Sequence, residues 1–238
     1  MNYMTRIKPS GLDGLLSSYD HDEDIFALLK ARATEKYLSY DPDFGPYLLG
    51  HSERVARDTE HFMLHEGYDA QTARKAGSNM FFHDGGKTLQ SIELWRLTVE
   101  KRSLTDAQKQ ERPNHGPLGE PFIDGIVDEL GLPRTKNLTA CLEAMKYQMV
   151  YHHERLNGTG PQGLAAAQMD PILQIITIID TVDGKYKAKT LSEIFEDMGG
   201  AKHAGQFNLD MIESLKAFHA KANTPMHSSP VLAKQAIS

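Results

Sequence analysis

Apolar residues recur at helical spacing along most of the chain, and this pattern limits the possible fold more than any other sequence feature. In the segment PILQIITIIDTVDG, which begins at Pro171, Ile172, Ile175, Ile176 and Ile179 follow the spacing of one helical face. An isoleucine-rich run could also be a buried strand, but this spacing favours a helix. No other segment alternates apolar and polar residues long enough to require a sheet. The sequence therefore predicts an all-α protein.

Capping and breaking residues locate several of these helices. Pro46 in a first turn begins a helix that runs towards Gly67, and Asp69 caps the next helix, which reaches into the segment FFHD. Further helices are predicted over 87–99, 118–131 and 137–152, and from Pro171 onwards, with Asp170 as its cap. We predict one helical bundle over 45–220, an N-terminal tail and helical extension over 1–44, and a C-terminal tail over 221–238.

Composition limits the compartment and the partners. The formal net charge of −6 argues against general attraction to nucleic acid or anionic membrane. No segment approaches the roughly 20 apolar residues that span a bilayer, and the N-terminus lacks the apolar core of a signal peptide. The single cysteine, Cys141, cannot form an intrachain disulfide. We therefore expect a cytoplasmic protein that binds neither nucleic acid nor membrane.

Polar residues interrupt two of the apolar helical faces. His51 lies in line with Leu48 and Val55, so its imidazole should point inward. Asp180 and Asp183 share one face of the isoleucine-rich helix, where buried carboxylates need partners. A hydrogen-bonded core histidine is the ordinary alternative for His51 alone.

More histidines lie at predicted helix ends. His83 and Asp84 follow two phenylalanines and precede two glycines, where the chain can turn. His152 and His153 end another helix, and adjacent helical side chains diverge by about 100°, so this pair could bind two neighbouring ions. His115 precedes a further helix. The alternatives are a capping aspartate beside a histidine, and a helix end with exposed imidazoles.

Each alternative is reasonable alone, but together they require several separate segments to bring His or Asp into the core by chance. A metal site assembled from several helices explains all of them. Its donors are imidazole and carboxylate without thiolate, which suits Fe, Mn, Ni, Co or Zn and disfavours a structural cysteine-zinc site. The sequence therefore predicts metal-assisted hydrolysis.

Ordered motifs between residues 45 and 200 resemble those of the HD-GYP family, a branch of the HD-domain metal phosphohydrolases whose members hydrolyse cyclic di-GMP. They are HSERVA at His51, HDGGK at His83, HGPLG at His115, HHERLNGTGP at His152 and DTVDG at Asp180. The resemblance implies an HD-domain bundle with two divalent ions in its core, Fe or Mn first and Ni, Co or Zn as alternatives. It implies hydrolysis by a metal-bridging hydroxide. The implied metal ligands are His51, His83, Asp84, His115, His152, His153 and Asp180.

The resemblance also implies roles at the substrate. Asp84 would bridge the two ions, and Lys87 would lie beside the scissile phosphate, so these are the expected catalytic residues. The implied substrate-binding residues are Asn157, Gly158, Gly160, Pro161, Asp183, Lys187 and Lys189. Lys185 belongs with the two lysines, for which exposure to solvent without a role is the alternative.

The chain departs from the family pattern at three places, one of which is the stretch after Asp183 (GKYKAKTLS), shorter than the family's basic segment. The family's loop reads Asp-Gly-x-Gly-Tyr-Pro, whereas here Asn157 replaces the Asp and Gly160 runs directly into Pro161 without a tyrosine. Tyr47 stands where some members carry a glutamate for a third metal, so two metals are expected. The alternatives are hydrolysis of another nucleotide or phosphate ester, and a catalytically weak cyclic-dinucleotide-binding or scaffold module that signals through a partner such as a diguanylate cyclase.

Overall fold

The structure, a computed structural model, describes residues 11–186 and 189–222, without the side chains of residues 221 and 222. Within these ranges the regular elements are helices, and the β pairing is an isolated bridge between Asn157 and Ala165. The all-α prediction is therefore confirmed. The α-helices are α1 (Gly11–Leu16), α2 (Glu23–Tyr40), α3 (Phe44–His65), α4 (Ala70–Met80), α5 (Ile92–Val99), α6 (Asp106–Glu111), α7 (His115–Glu129), α8 (Lys136–Tyr151), α9 (Pro171–Tyr186), α10 (Leu191–Gly199) and α11 (Leu209–Ala222).

The core lies between α3, α4, α7, α8 and α9. The long helix α3 packs against α4 on one side and α9 on another, and α7 packs against α8. Burial of apolar side chains from these helices is the main stabilising contribution to the bundle. The helical spacing in α9 is confirmed, because its isoleucines at positions 172, 175, 176 and 179 are all buried.

Local signals locate several helix boundaries well. The Asp69 carboxylate accepts hydrogen bonds from the amides of Gln71 and Thr72, so it caps α4 as predicted. Asp170 similarly accepts from the Leu173 amide at 2.9 Å at the start of α9. Helix α4 ends at Met80, and the segment FFHD that follows is a turn rather than the last turn of the helix.

The helix predicted over 87–99 is divided into a 3₁₀ helix, Gly85–Leu89, and the shorter α5. The glycines before Lys87 explain the division, since the chain passes very close to α7 here. A Cβ atom on Gly86 would lie 2.0 Å from the backbone oxygen of His115. Close backbone packing, which helical periodicity does not encode, therefore sets the path of the segment that carries Asp84 and Lys87.

Helices α6, α10 and α11 were not predicted. Capping boxes begin two of them, with Thr105 and Gln108 at α6 and with Thr190 and Glu193 at α10. These pairs are the sequence signals that could have located them.

At the other end of the chain, α1 buries its leucines, and Lys75 of α4 donates to the backbone oxygens of Leu16 and Tyr19. This part of the chain therefore packs on the bundle. The division of the chain at residues 44 and 220 stays a prediction, and the tail expected from residue 221 falls almost entirely outside the described residues. No helix among the described residues is long and apolar enough to cross a bilayer.

Candidate metal centre

The implied metal ligands come together in the core of the bundle. They lie in α3, in the turn after α4, at the start of α7, directly after α8 and in α9. His153 is half-buried, and the other six side chains are buried. The full set is His51, His83, Asp84, His115, His152, His153 and Asp180.

One group of donors surrounds the Nε2 atoms of His51 and His83, which lie 3.1 Å apart. Oδ2 of Asp84 lies 3.2 Å from Nε2 of His51 and 3.4 Å from Nε2 of His83. Oδ1 of Asp180 lies at the same two distances from these nitrogens. Two imidazoles and two carboxylates thus face one point, which we call the first donor group.

A second donor group uses the other oxygen of Asp84. Its Oδ1 lies 3.4 Å from Nε2 of His115 and 3.8 Å from Nε2 of His152. Nε2 of His153 lies 3.0 Å from Nε2 of His115. One ligand atom from each of these four residues lies within 4.8 Å of all the others. Asp84 therefore contacts both donor groups through different oxygens.

Backbone carbonyls orient three of the imidazoles. Nδ1 of His83 donates to the oxygen of Met80 at 2.6 Å, and Nδ1 of His152 donates to the oxygen of Met149 at 2.8 Å. His115 donates to the oxygen of Arg112 at 2.7 Å in the same way. Because a carbonyl only accepts, Nδ1 must carry the proton in each ring. The Nε2 lone pairs are then free to bind a metal ion, as in metalloprotein sites.

Asp183 orients the fourth imidazole rather than facing the cavity. Its Oδ2 accepts from Nδ1 of His51 at 2.6 Å, and both of its oxygens accept from Arg54, at 2.7 and 3.0 Å. The Asp183 side chain is buried. This position favours a positioning role behind His51 over the substrate-binding role implied by the sequence.

Two buried atoms of the second donor group have no hydrogen-bond partner in the described part of the chain. They are Oδ1 of Asp84 and Nε2 of His152. A buried polar atom without a partner costs about 1–3 kcal/mol. In the first donor group, Nδ1 of His51 and Nδ1 of His83 both act as donors, so both Nε2 atoms can present a lone pair to a metal ion. A metal ion in the second group would give its two unpartnered atoms a partner, and one in the first group would bind both lone pairs, so the donors fit metal ions.

The charges of the groups agree with this interpretation. Burial lowers the pKa of His115 to about 3 and that of His152 to about 4, so both rings are neutral at pH 7, as metal ligation requires. Burial opposes ionisation of Asp84, but Lys87 and the neighbouring histidines hold its pKa well below the usual range. Burial also opposes protonation of His51, yet hydrogen bonds that its ring donates to three aspartates raise its pKa well above normal. The first donor group therefore attracts positive charge.

A cavity of about 550 Å³ opens onto the two donor groups. Its apolar lining includes Phe44, Tyr47, Trp95, Val99 and Leu104. Its lining also includes the cations Lys87, Lys109, Arg112, Arg155 and Lys185. The Lys87 ammonium is paired with Asp84 and lies 4.7 Å from the centre of the Trp95 ring. The cavity thus offers positive charge and an aromatic surface beside the metal donors.

The implied substrate residues are divided by the structure. Gly160 and Pro161 line the cavity. The Asn157 amide instead donates to the oxygen of Ala204 at 3.3 Å, and its oxygen accepts from Thr159. Gly158 forms a left-handed turn, with φ of 74°.

The lysines near the end of α9 have acidic partners. Lys185 lines the cavity but pairs with Asp197 at 2.6 Å, and Lys189 pairs with the same carboxylate at 3.2 Å. Lys187 lies outside the described residues. The fold therefore pairs Lys185 and Lys189 with Asp197 and does not by itself direct either ammonium to a substrate phosphate.

Glu154 and Arg155 are two site residues that the sequence analysis missed. Glu154 is fully buried, and its carboxylate accepts from the amides of Gln162 and Leu164 at 2.8 and 2.6 Å, which fixes the loop that carries Gly160. Arg155 lines the cavity, donates to the backbone oxygen of Glu154 and lies over the Phe207 ring. The sequence signal for these two residues was an acidic and a basic side chain directly after His152 and His153.

Comparison with solved structures finds a similar fold in Bd1817 from Bdellovibrio bacteriovorus, described as a HDG"Y"P protein. The TM-score is 0.55 at 16% sequence identity, and the match covers 75% of this chain and 54% of Bd1817. The chain thus spans about half the length of that protein. No protein-family model matches the chain, and no curated protein matches its sequence. The structural similarity shows that this chain has the helical HD-domain fold of an HD-GYP protein.

Proposed function

We propose that this protein is a phosphodiesterase with a binuclear metal centre, and that its substrate is cyclic di-GMP. One observation carries the proposal: Asp84 presents one oxygen to each of two groups of imidazoles. A carboxylate shared in this way suits two adjacent ions, which is the arrangement of many hydrolytic phosphate-ester enzymes. The ordered HD-GYP motifs and the shared fold support the same reaction class.

The ligands of the two ions follow from the donor groups. His51, His83, Asp84 and Asp180 would hold one ion, and Asp84, His115, His152 and His153 would hold the other. Imidazole and carboxylate donors suit Fe or Mn, with Ni, Co or Zn as alternatives. When bound, such ions supply Lewis acidity and a water molecule of lowered pKa.

Lys87 is the proposed electrostatic catalyst. Its ammonium lies beside Asp84 in the cavity wall, so it can donate to a phosphate oxygen as negative charge develops there. Asp183 and the backbone carbonyls hold the imidazoles in position. The remaining cations of the cavity would attract an anionic substrate despite the acidic net charge of the chain.

The cavity favours a nucleotide substrate over a simple phosphate ester. Its volume of about 550 Å³ lies within the range of small-molecule sites, about 300–1,000 Å³. Tyr47 is half-buried and provides aromatic surface on which a base can pack. The loop has no tyrosine, and the Asn157 side chain contacts Ala204, so a different nucleotide diester is the second candidate.

Metal analysis combined with a substrate panel tests the proposal. Protein reconstituted anaerobically with Fe²⁺ or Mn²⁺ should contain two ions per chain. It should hydrolyse cyclic di-GMP faster than bis(p-nitrophenyl) phosphate. Protein that binds no metal, or that hydrolyses no diester with any of the candidate metals, would contradict the proposal. Preferential turnover of another diester would select the second candidate, and ligand binding without turnover would select the scaffold role with a signalling partner such as a diguanylate cyclase.

A further inference from the structure

We infer that Arg112 and Lys109 form a second anion subsite at the rim of the cavity, which binds a phosphate of the substrate other than the scissile one. The inference rests on the proposed function, because it concerns the substrate of the same site. It assigns a specificity role to two residues outside the HD-GYP motifs quoted above. It also narrows the preferred substrates to molecules with two separated phosphate groups.

Both cations belong to the short segment that leads into the second donor group. Lys109 lies in α6, and Arg112 begins the 3₁₀ helix Arg112–Asn114, directly before His115. The backbone oxygen of Arg112 accepts from Nδ1 of His115, while the Arg112 side chain lines the cavity. The Arg112 backbone therefore contacts a residue of the second donor group, while its guanidinium remains in the cavity lining. Changing only this side chain leaves the carbonyl that orients His115 intact.

Arg112 differs from the other cations of the cavity in having no partner of its own in the described part of the chain. Lys87 is paired with Asp84, and Lys185 with Asp197. Arg155 is held by the backbone oxygen of Glu154 and the Phe207 ring. The exposed guanidinium of Arg112, by contrast, forms no ion pair or hydrogen bond within residues 11–186 and 189–222.

The Lys109 ammonium is almost as available to a bound anion as the Arg112 guanidinium. Its ammonium lies 2.8 Å from Oδ1 of Asp106, a neighbour in the same helix whose side chain is 91% exposed. Exposed pairs of this kind contribute little, because water screens them and both side chains lose freedom. A phosphate in the cavity can therefore compete for Lys109 at small cost.

The chemistry of the rim suits a phosphate group. A guanidinium can donate two parallel hydrogen bonds to phosphate oxygens, and an ammonium adds a second positive charge. Val99 and Leu104 also line this cavity and make its surface less polar. A substrate with two phosphate groups, such as a dinucleotide, can place one at the metal centre and the other at this rim. A small diester with one phosphate cannot bind the metal centre and the rim cations with separate phosphate groups.

A matched pair of substrates tests the subsite. We would measure KM and kcat for a linear guanine dinucleotide with and without a 5′-phosphate, using metal-loaded wild type, Arg112→Gln, Lys109→Gln and Arg112→Lys. The wild type should show a KM lower by roughly tenfold for the phosphorylated dinucleotide, the size expected for one charge-assisted contact. Arg112→Gln should remove most of this preference, Lys109→Gln should reduce it, and Arg112→Lys should restore part of it.

Two controls separate a local effect from a general one. Lys136→Gln removes an exposed lysine that does not line the cavity, and it should keep the full preference. Thermal melts followed by circular dichroism and elemental analysis of every variant show that each one is folded and metal-loaded. The inference is wrong if Arg112→Gln retains the wild-type KM ratio.

Failure of the proposed function would be recognised separately. If the wild type hydrolyses neither dinucleotide, the same pair is titrated into the metal-loaded protein by calorimetry. An Arg112-dependent preference for the 5′-phosphate would then still support the subsite. Equal affinities for the two dinucleotides would overturn it.

Discussion

Oδ1 of Asp84 and Nε2 of His152 face each other at 3.8 Å in the core, and neither atom has a hydrogen-bond partner among the described residues. This pair costs stability unless a metal ion binds to both atoms. Metal binding should therefore stabilise the fold as well as create the reactive centre.

Metal loading should raise the melting temperature of the protein. An ion that binds only the folded state contributes about 2.7 kcal/mol when its free concentration is a hundredfold above Kd. Calorimetric melts of EDTA-treated protein, with and without added Mn²⁺, would measure the shift. Asp84→Ala should abolish the shift, whereas His61→Ala, which changes an exposed histidine of α3, should keep it. An unchanged wild-type melt would count against a metal centre.

Metal content should distinguish the shared ligand from a ligand of one group. Asp84→Ala should lose both ions, because its two oxygens face different donor groups. His115→Ala should lose mainly the ion of the second group and retain about half of the wild-type content. Elemental analysis of the purified variants checks this, with His61→Ala as the control. Equal losses in Asp84→Ala and His115→Ala would argue against two separate ions.

Lys87→Ala should lower the rate without removing metal. The ammonium lies beside Asp84 at the cavity but supplies no ligand atom to either donor group. Loss of a single donor to a developing negative charge lowers kcat by about 10²- to 10³-fold. Steady-state kinetics and elemental analysis on the same preparation measure both effects. Lys136→Ala should match the wild type, and full activity in Lys87→Ala would exclude the proposed role.

Glu154→Gln should loosen the loop beside the cavity. The carboxylate accepts from the amides of Gln162 and Leu164, and a carboxamide has only one oxygen for this purpose. We expect faster hydrogen exchange at these two amides and a higher KM, with metal content unchanged. Glu53→Gln, at an exposed position of α3, provides the matched control. Unaltered exchange in Glu154→Gln would show that the carboxylate does not hold the loop.

Local patterns account for most of the fold. The spacing of isoleucines in α9 and the cap at Asp69 are properties of neighbouring residues, so the sequence contains them directly. The break before α5 depends on the contact between Gly86 and α7, which are brought together only by tertiary packing. Periodicity could not have predicted it.

The residues of the metal centre could be predicted from the sequence to a similar degree. Ordered His and Asp motifs indicate which residues converge, since each motif lies at a helix end or on an apolar helical face. The contacts that support them join distant segments, as with Asp183 and His51 or Glu154 and Leu164. The rim cation Arg112 lies in a segment with few apolar residues, so no pattern indicated that it faces the cavity.

The contact of Gly86 with His115 has a consequence for the spacing of the two donor groups. Asp84 precedes this glycine by two residues, and His115 contributes its backbone oxygen to the contact and its imidazole to the second group. Main-chain atoms in van der Waals contact thus act as a fixed spacer between the carboxylate and the imidazole. A methyl group at position 86 would therefore move the Asp84 carboxylate and the His115 imidazole apart, although both side chains would be chemically unchanged.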